Sequence, residues 1–203
     1  LNVRVATHGR IPIHGGTLLV ANHVSWLDPV VIFLCCPSAF VAKAETGRWP
    51  LVGKIVTGVD TLLLSRQSVR SIRSTREKVT QRLQNGTTVT VFPEATTSDG
   101  TLVLPFKAAF FQSAIDALAP VIPVAITYGS TFDERGPYLF VGDATLVDSL
   151  VRMARSPGID VRLSFLPPLS PTEIHDRTVL CAQTRDAIVS EMQRKRHSFE
   201  TVS

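Results

Sequence analysis

Cysteine is scarce and poorly placed for cross-linking: Cys35, Cys36 and Cys181 make an odd set with one adjacent pair and no Cys-x-x-Cys spacing. Neither a disulfide framework nor a thiolate zinc site can be built from it, and a reducing compartment suits it. Long apolar runs are missing as well. A bilayer-crossing helix needs about 18 or more consecutive apolar residues; here the stretches free of acids and bases are broken by Gly15, Gly16 and His23, or by Pro120 and Pro123. The chain begins at Leu1, so an anchor or signal on a segment outside it stays open. Repeats, low-complexity tracts and Gly/Ser linkers are absent too. The histidines His8, His14, His23, His175 and His197 form no His-x-x-x-His pair, so no metal is indicated.

Nor is there a strong charge excess. Lys plus Arg number 21 against 17 Asp plus Glu, giving +4, a mild balance that suits an anionic surface or ligand without demanding nucleic acid. What is present is a folding chain: 203 residues, 44% hydrophobic, with a mean hydropathy of +0.19, enough for one domain with a full core. A single domain over 1–203 is expected.

Strand-length apolar runs alternate with amphipathic stretches of helical length, the pattern of an α/β fold. Thr17 to Ala21, Phe40 to Ala42, Leu62 to Leu64, Thr87 to Phe92, Val121 to Ile126, Tyr138 to Val141 and Val161 to Phe165 read as strands. Asp28 followed by Pro29 reads as an N-cap and first turn of a helix through Leu34. Val69 to Leu83 predicts a helix with Val69, Ile72, Val79 and Leu83 inward, closed by Asn85-Gly86, and an outer face carrying Arg70, Arg73, Arg76, Lys78 and Arg82. Thr172 to Lys195 predicts a closing helix with Ile174, Val179, Leu180, Ile188, Val189 and Met192 as its apolar residues. The expectation is a single mixed sheet of five to seven strands between helices.

Two segments could carry chemistry. His23 and Asp28 leave the end of the first of these strands, and a carboxylate holding one imidazole nitrogen frees the other to take a proton from a hydroxyl. Five positions on a continuous helix would leave the two side chains on different faces, so the backbone must turn between them. A loop histidine beside a helix cap would look the same. Phe92-Pro93-Glu94-Ala95-Thr96-Thr97-Ser98 is a strand end breaking into small and hydroxyl residues, where backbone N–H groups can face an oxyanion or simply form a polar turn. Lys43 and Arg66 are bases leaving apolar strands, suited to phosphate or to solvent.

Other chemistries lack their signatures. There is no Gly-x-Ser-x-Gly for an α/β-hydrolase. Gly47 to Lys54 nearly spells a P-loop, but five residues separate Gly47 from Gly53 and Ile55 stands where Ser or Thr belongs.

Together the segments resemble the glycerolipid acyltransferases of the lysophosphatidic acid acyltransferase type. Asn22-His23-Val24-Ser25-Trp26-Leu27-Asp28 matches the family's Asn-His-x-x-x-x-Asp block in full. Leu62-Leu63-Leu64-Ser65-Arg66 resembles its second block, Phe92 to Ser98 its Phe-Pro-Glu-Gly-Thr-x-Ser block, and Val121-Ile122-Pro123-Val124 its fourth. Lys43-Ala44-Glu45 and Phe106-Lys107 resemble accessory positions, in an order and spacing that agree across the chain from Leu18 to Ile126.

The resemblance implies a glycerol-3-phosphate acyltransferase-like α/β fold, a mixed and largely parallel sheet flanked by helices. Its motif-bearing core spans about 17–127, with C-terminal strands and the closing helix over about 138–196. It implies that His23 deprotonates a lysolipid hydroxyl, that Asp28 orients the imidazole, and that the oxygen attacks an acyl thioester. Asn22, Lys43, Arg66, Phe92, Pro93, Glu94, Ala95, Thr96 and Lys107 are implied as substrate-binding positions, with Arg66 and the Glu94-Ala95-Thr96 turn around the acceptor's phosphate. No cofactor and no metal are implied; acyl-CoA or acyl-ACP is the co-substrate. A membrane surface is the expected partner, acyl carrier protein a second, and nucleic acid none. The expected location is the cytoplasmic face of a membrane, peripheral or anchored from outside this chain. Three departures bear on the acceptor: Ala95 replaces a usual glycine, Asp60 stands where glycine is frequent, and Thr97 replaces a frequent arginine. The wording Glu94 to Gly100 looks more like relatives that acylate lysophosphatidylcholine or lyso-ornithine lipid. A non-catalytic lipid-binding protein on the same scaffold is the remaining alternative.

Overall fold

The computed structural model describes residues 2–12, 15–43, 61–64, 68–129 and 146–200. Along the chain run β1 (Val3–Gly9), β2 (Leu18–Ala21), α1 (Asp28–Cys35), β3 (Ala39–Lys43), β4 (Thr61–Leu64), α2 (Val69–Gln84), β5 (Val89–Val91), a 3-10 turn (Ala108–Phe110), α3 (Phe111–Ala117), β6 (Val121–Tyr128), α4 (Leu146–Arg155), β7 (Ile159–Phe165) and α5 (Arg177–Glu200). The expected strand over Tyr138 to Val141, the near P-loop at Gly47 to Lys54, Asp60 and Arg66 lie outside the described residues.

The strands form one mixed sheet in the order β1-β7-β6-β2-β5-β3-β4. β6, β2, β5, β3 and β4 are mutually parallel. β7 runs antiparallel to β6, and β1 runs parallel to β7. Parallel strands in the middle of a sheet must be covered on both faces, which is why β2 reads as a continuous apolar run. Leu18, Leu19, Val20 and Ala21 are all fully buried. Side-chain alternation sorts them into two cores. Leu19 and Ala21 pack with Val31 and Ile32 of α1 and Met153 of α4, whereas Leu18 and Val20 pack with Val79 and Leu83 of α2, Phe111 of α3 and Leu180 of α5. Helices therefore cover both faces. The five parallel strands also share one carboxyl edge, the usual place for a ligand in an α/β sheet.

Local chemistry fixes the helix ends. Ser68 caps α2 by accepting from Ser71 N at 3.2 Å, and Gly86 ends it with φ 80°. A Cβ on Gly15 would lie 1.4 Å from the Gly86 carbonyl oxygen, so the approach to β2 requires glycine there.

Three expectations are corrected. Val69 is 85% exposed, and the residues α2 buries are Thr75, Val79 and Leu83. The closing helix starts at Arg177 rather than Thr172, because Asp176 Oδ1 accepts from Thr178 N and Val179 N and caps it there, while Ser170 to Ile174 form a separate turn. Asp28 is the first residue of α1 rather than its cap: the N-cap is Leu27, which makes no side-chain capping bond. The carboxylate of Asp28 turns elsewhere.

Candidate active site

Where β2 leaves the sheet, Asn22 keeps it tied to β6. Its Nδ2 donates to Ile126 O at 3.0 Å and its Oδ1 accepts from Ile126 N at 2.7 Å, replacing the ladder bonds that end with Ala21. His23 follows, clamped through its own backbone. Its N–H donates to Glu94 Oε1 at 2.7 Å, and its carbonyl accepts from Ser98 N at 2.8 Å and Ser98 Oγ at 3.2 Å.

The chain then doubles back so that Asp28 meets His23. Asp28 Oδ2 lies 2.7 Å from His23 Nδ1 and also accepts from Val24 N at 2.7 Å and Ser25 N at 2.9 Å. Its other oxygen, Oδ1, accepts from the Tyr128 hydroxyl. Asp28 is completely buried, and a buried carboxylate persists only with donors on its oxygens. The network assigns the imidazole tautomer: an acceptor oxygen at Nδ1 places the proton there and leaves the Nε2 lone pair free. The His23 side chain retains 21% exposure, so the imidazole reaches the surface while its partner does not.

The neighbouring parallel strand supplies the rest. Leaving β5, Phe92 stacks its ring on His23 with centroids 4.3 Å apart, and Phe40 of β3 lies beyond it at 6.5 Å. Glu94 is 5% exposed; its Oε2 accepts from Leu104 N at 2.8 Å while Oε1 holds His23. Burial pushes the Glu94 carboxyl above its ordinary range, against the two backbone N–H groups, which favour the charged form. Ala95 turns with φ 59°, its N–H donating to Phe92 O at 3.1 Å. The positive φ that the glycine of the family pattern would relieve is thus present in an alanine.

The structure brings together His23, Asp28, Phe92 and Glu94, with Pro93 buried behind them and Thr96 exposed on the turn. The polar atoms of Asn22 and Glu94 face backbone, which makes both braces of the histidine loop. Lys107 is exposed, and its N–H donates to Pro93 O at 3.0 Å. Lys43 ends β3 at the shared carboxyl edge. Sequence reasoning missed three contributors. Tyr128 closes the carboxylate's hydrogen bonding. Trp26 Nε1 donates to the buried Ser149 Oγ at 3.0 Å, pinning the histidine loop to α4. Arg185 of α5 donates to Val103 O at 2.6 Å and Leu104 O at 3.1 Å, fixing the segment that holds Glu94. All three are distant in sequence from their partners and carry no local signal.

A mixed sheet with a His–Asp pair and a Phe-Pro-Glu turn at its carboxyl edge defines a class, and the comparisons agree with it. The chain belongs to the acyltransferase family, whose model matches residues 2–127, and it is an acyltransferase of the lysophosphatidic acid acyltransferase type. Over 173 residues it is 39% identical to the 1-acyl-sn-glycerol-3-phosphate acyltransferase of Neisseria meningitidis serogroup B, an alignment covering 85% of this chain and 68% of that protein. Against the lyso-ornithine lipid O-acyltransferase of Pseudomonas aeruginosa it is 35% identical over 173 residues, 84% of this chain and 66% of that one. Among solved structures, the 1-acyl-sn-glycerophosphate acyltransferase PlsC from Thermotoga maritima superposes with a TM-score of 0.70 at 26% identity, covering 95% of this chain and 72% of that chain.

Proposed function

We propose that this protein transfers a fatty acyl group from an acyl thioester, acyl-CoA or acyl-ACP, to the hydroxyl of a lysolipid by general-base catalysis at His23. The carrying observation is the 2.7 Å contact between His23 Nδ1 and a fully buried Asp28, which leaves Nε2 as the basic nitrogen. Nε2 takes the acceptor's hydroxyl proton as the oxygen attacks the thioester carbonyl. Asp28 balances the imidazolium that forms, the tetrahedral intermediate expels the thiolate, and the imidazolium returns the proton to sulfur. The products are an ester and a free thiol; the acyl thioester is the sole co-substrate. Phe92 holds the ring's plane and Glu94 its backbone, so the base is preorganised.

The acceptor we favour is 1-acylglycerol-3-phosphate, giving phosphatidic acid, the substrate named for the Neisseria relative. Lyso-ornithine lipid is the second reading, supported by Thr97 where the family pattern has arginine and by the Pseudomonas relative. Thiol release from a long-chain acyl-CoA, and from acyl-ACP, with each lysolipid in turn decides between them. Turnover with 1-acylglycerol-3-phosphate fits the first reading, turnover confined to lyso-ornithine lipid replaces it with the second, and no acceptor-dependent turnover with either donor refutes both. The site would work at the cytoplasmic face of a membrane, with the exposed bases of α2, Arg70, Arg73 and Lys78, toward anionic head groups.

A further inference from the structure

We propose that Tyr128 is a positioning residue for the dyad: its hydroxyl holds Oδ1 of Asp28 and so keeps Oδ2 on His23 Nδ1. The inference deepens the general-base reading and rests on it. The fold puts Tyr128 in place. Alternation along β6 sends Ile122, Val124, Ile126 and Tyr128 to the core that contains Val31 and Ile32 of α1. Tyr128 is the last residue of β6, paired with Val161 of β7, and it is 7% exposed.

The two oxygens of Asp28 are unequally supported. Oδ2 has His23 Nδ1, Val24 N and Ser25 N, whereas among the described residues Oδ1 has the Tyr128 hydroxyl, at 2.5 Å. Without that hydroxyl, Oδ1 is a buried carboxylate oxygen with no donor among the described residues. The carboxylate then gains by turning to share the donors on the Oδ2 side, and that turn loosens the hydrogen bond to Nδ1. Other contacts on the histidine cannot compensate: Phe92 acts on the ring's face, and Glu94 and Ser98 act on its backbone. With Phe92 stacked on the ring's plane, the line from Tyr128 through Asp28 to Nδ1 is what keeps the Nδ1 edge of the imidazole on the carboxylate.

The test is Tyr128→Phe, which removes one oxygen. The expected result is a kcat lower by about 10-fold, as for one lost hydrogen bond to a charged group, with KM for donor and acceptor within about two-fold. In an Asp28→Asn background the same change adds little, since its route is already cut. The low-field proton resonance of His23 Nδ1–H, read without any substrate, weakens or is lost to exchange. An unchanged kcat, a KM effect alone, or an undiminished loss in the Asp28→Asn background overturns the proposal. Should Tyr128→Phe not fold, 3-fluorotyrosine keeps the shape and alters the donor: with only two tyrosines in the chain, a Tyr138→Phe background labels position 128 alone. An altered kcat at constant KM is expected there, and a constant kcat overturns the idea. Failure of the underlying reading looks different: His23→Ala would keep its activity whatever Tyr128 does.

Discussion

Ala95 offers a test in which strain alone is changed. It sits at φ 59°, where a side chain crowds its own backbone, at roughly 1–2 kcal/mol for an L-residue. Ala95→Gly removes that penalty but gives the unfolded chain freedom worth roughly 0.5–1 kcal/mol. At the middle of each range the balance is a stabilisation of about 0.75 kcal/mol, and at 203 residues each kcal/mol moves the midpoint by roughly 2–4 °C. Thermal unfolding should therefore show a Tm higher by about 1.5–3 °C. Leu118 is the comparison: it ends α3 at φ 51°, is 67% exposed and lies away from His23, so Leu118→Gly should gain a similar amount. If Leu118→Gly stabilises and Ala95→Gly destabilises, the Ala95 methyl is packing usefully and the turn is not strained, which refutes the reasoning.

Other perturbations read the site directly. Asp28→Asn replaces an acceptor of four hydrogen bonds with a group that must present N–H to donors; kcat should fall by about 10²–10⁴-fold and the melting temperature should drop, and retention of wild-type kcat would remove Asp28 from catalysis. Because burial raises the Glu94 carboxyl above its ordinary 4.5, the folded state binds more protons than the unfolded one between that pH and the raised folded value, so this group's contribution to stability is lost as pH rises through that window. Urea unfolding at pH 4 to 7 should show a shallower fall in Glu94→Gln than in the parent, and an equal or steeper fall would contradict the burial argument. Replacing Arg70 and Arg73 with glutamine should weaken binding to anionic vesicles roughly 30-fold at low salt, as for two bases worth about 1 kcal/mol each; Arg73 shares an exposed ion pair with Glu77, and unchanged binding would take that role from α2.

Much of the architecture is legible in the sequence, because the central strands bury both faces and so appear as short apolar runs. β2, β3, β4, β5 and β6 fall where those runs are, within a residue or two at most ends. β1 gives no such signal: it is an edge strand exposed along nearly all its length, so nothing in its burial demands an apolar pattern. The start of α5 is misread because Ile174 continues an apolar spacing that only the Asp176 cap interrupts. At the site, the His23–Asp28 pair is legible through the family resemblance of Asn22 to Asp28 and not from its spacing, and Asp28's task is not legible from spacing at all: a cap and a catalytic partner look alike until the backbone turn is seen. Tyr128 is out of reach for a further reason. Its contact with Asp28 spans 100 positions and depends on how β6 aligns with β2, strands buried on both faces whose continuous apolar runs carry no alternation to set the register.

The most direct test of the account is the rate of acyl transfer by His23→Ala beside the parent protein, followed as thiol released from a long-chain acyl thioester with saturating lysolipid in detergent micelles. With both proteins shown to be folded by circular dichroism, loss of the general base predicts a kcat reduced by about 100-fold or more. Transfer at the parent rate in His23→Ala would contradict the assignment of the base and the mechanism built on it.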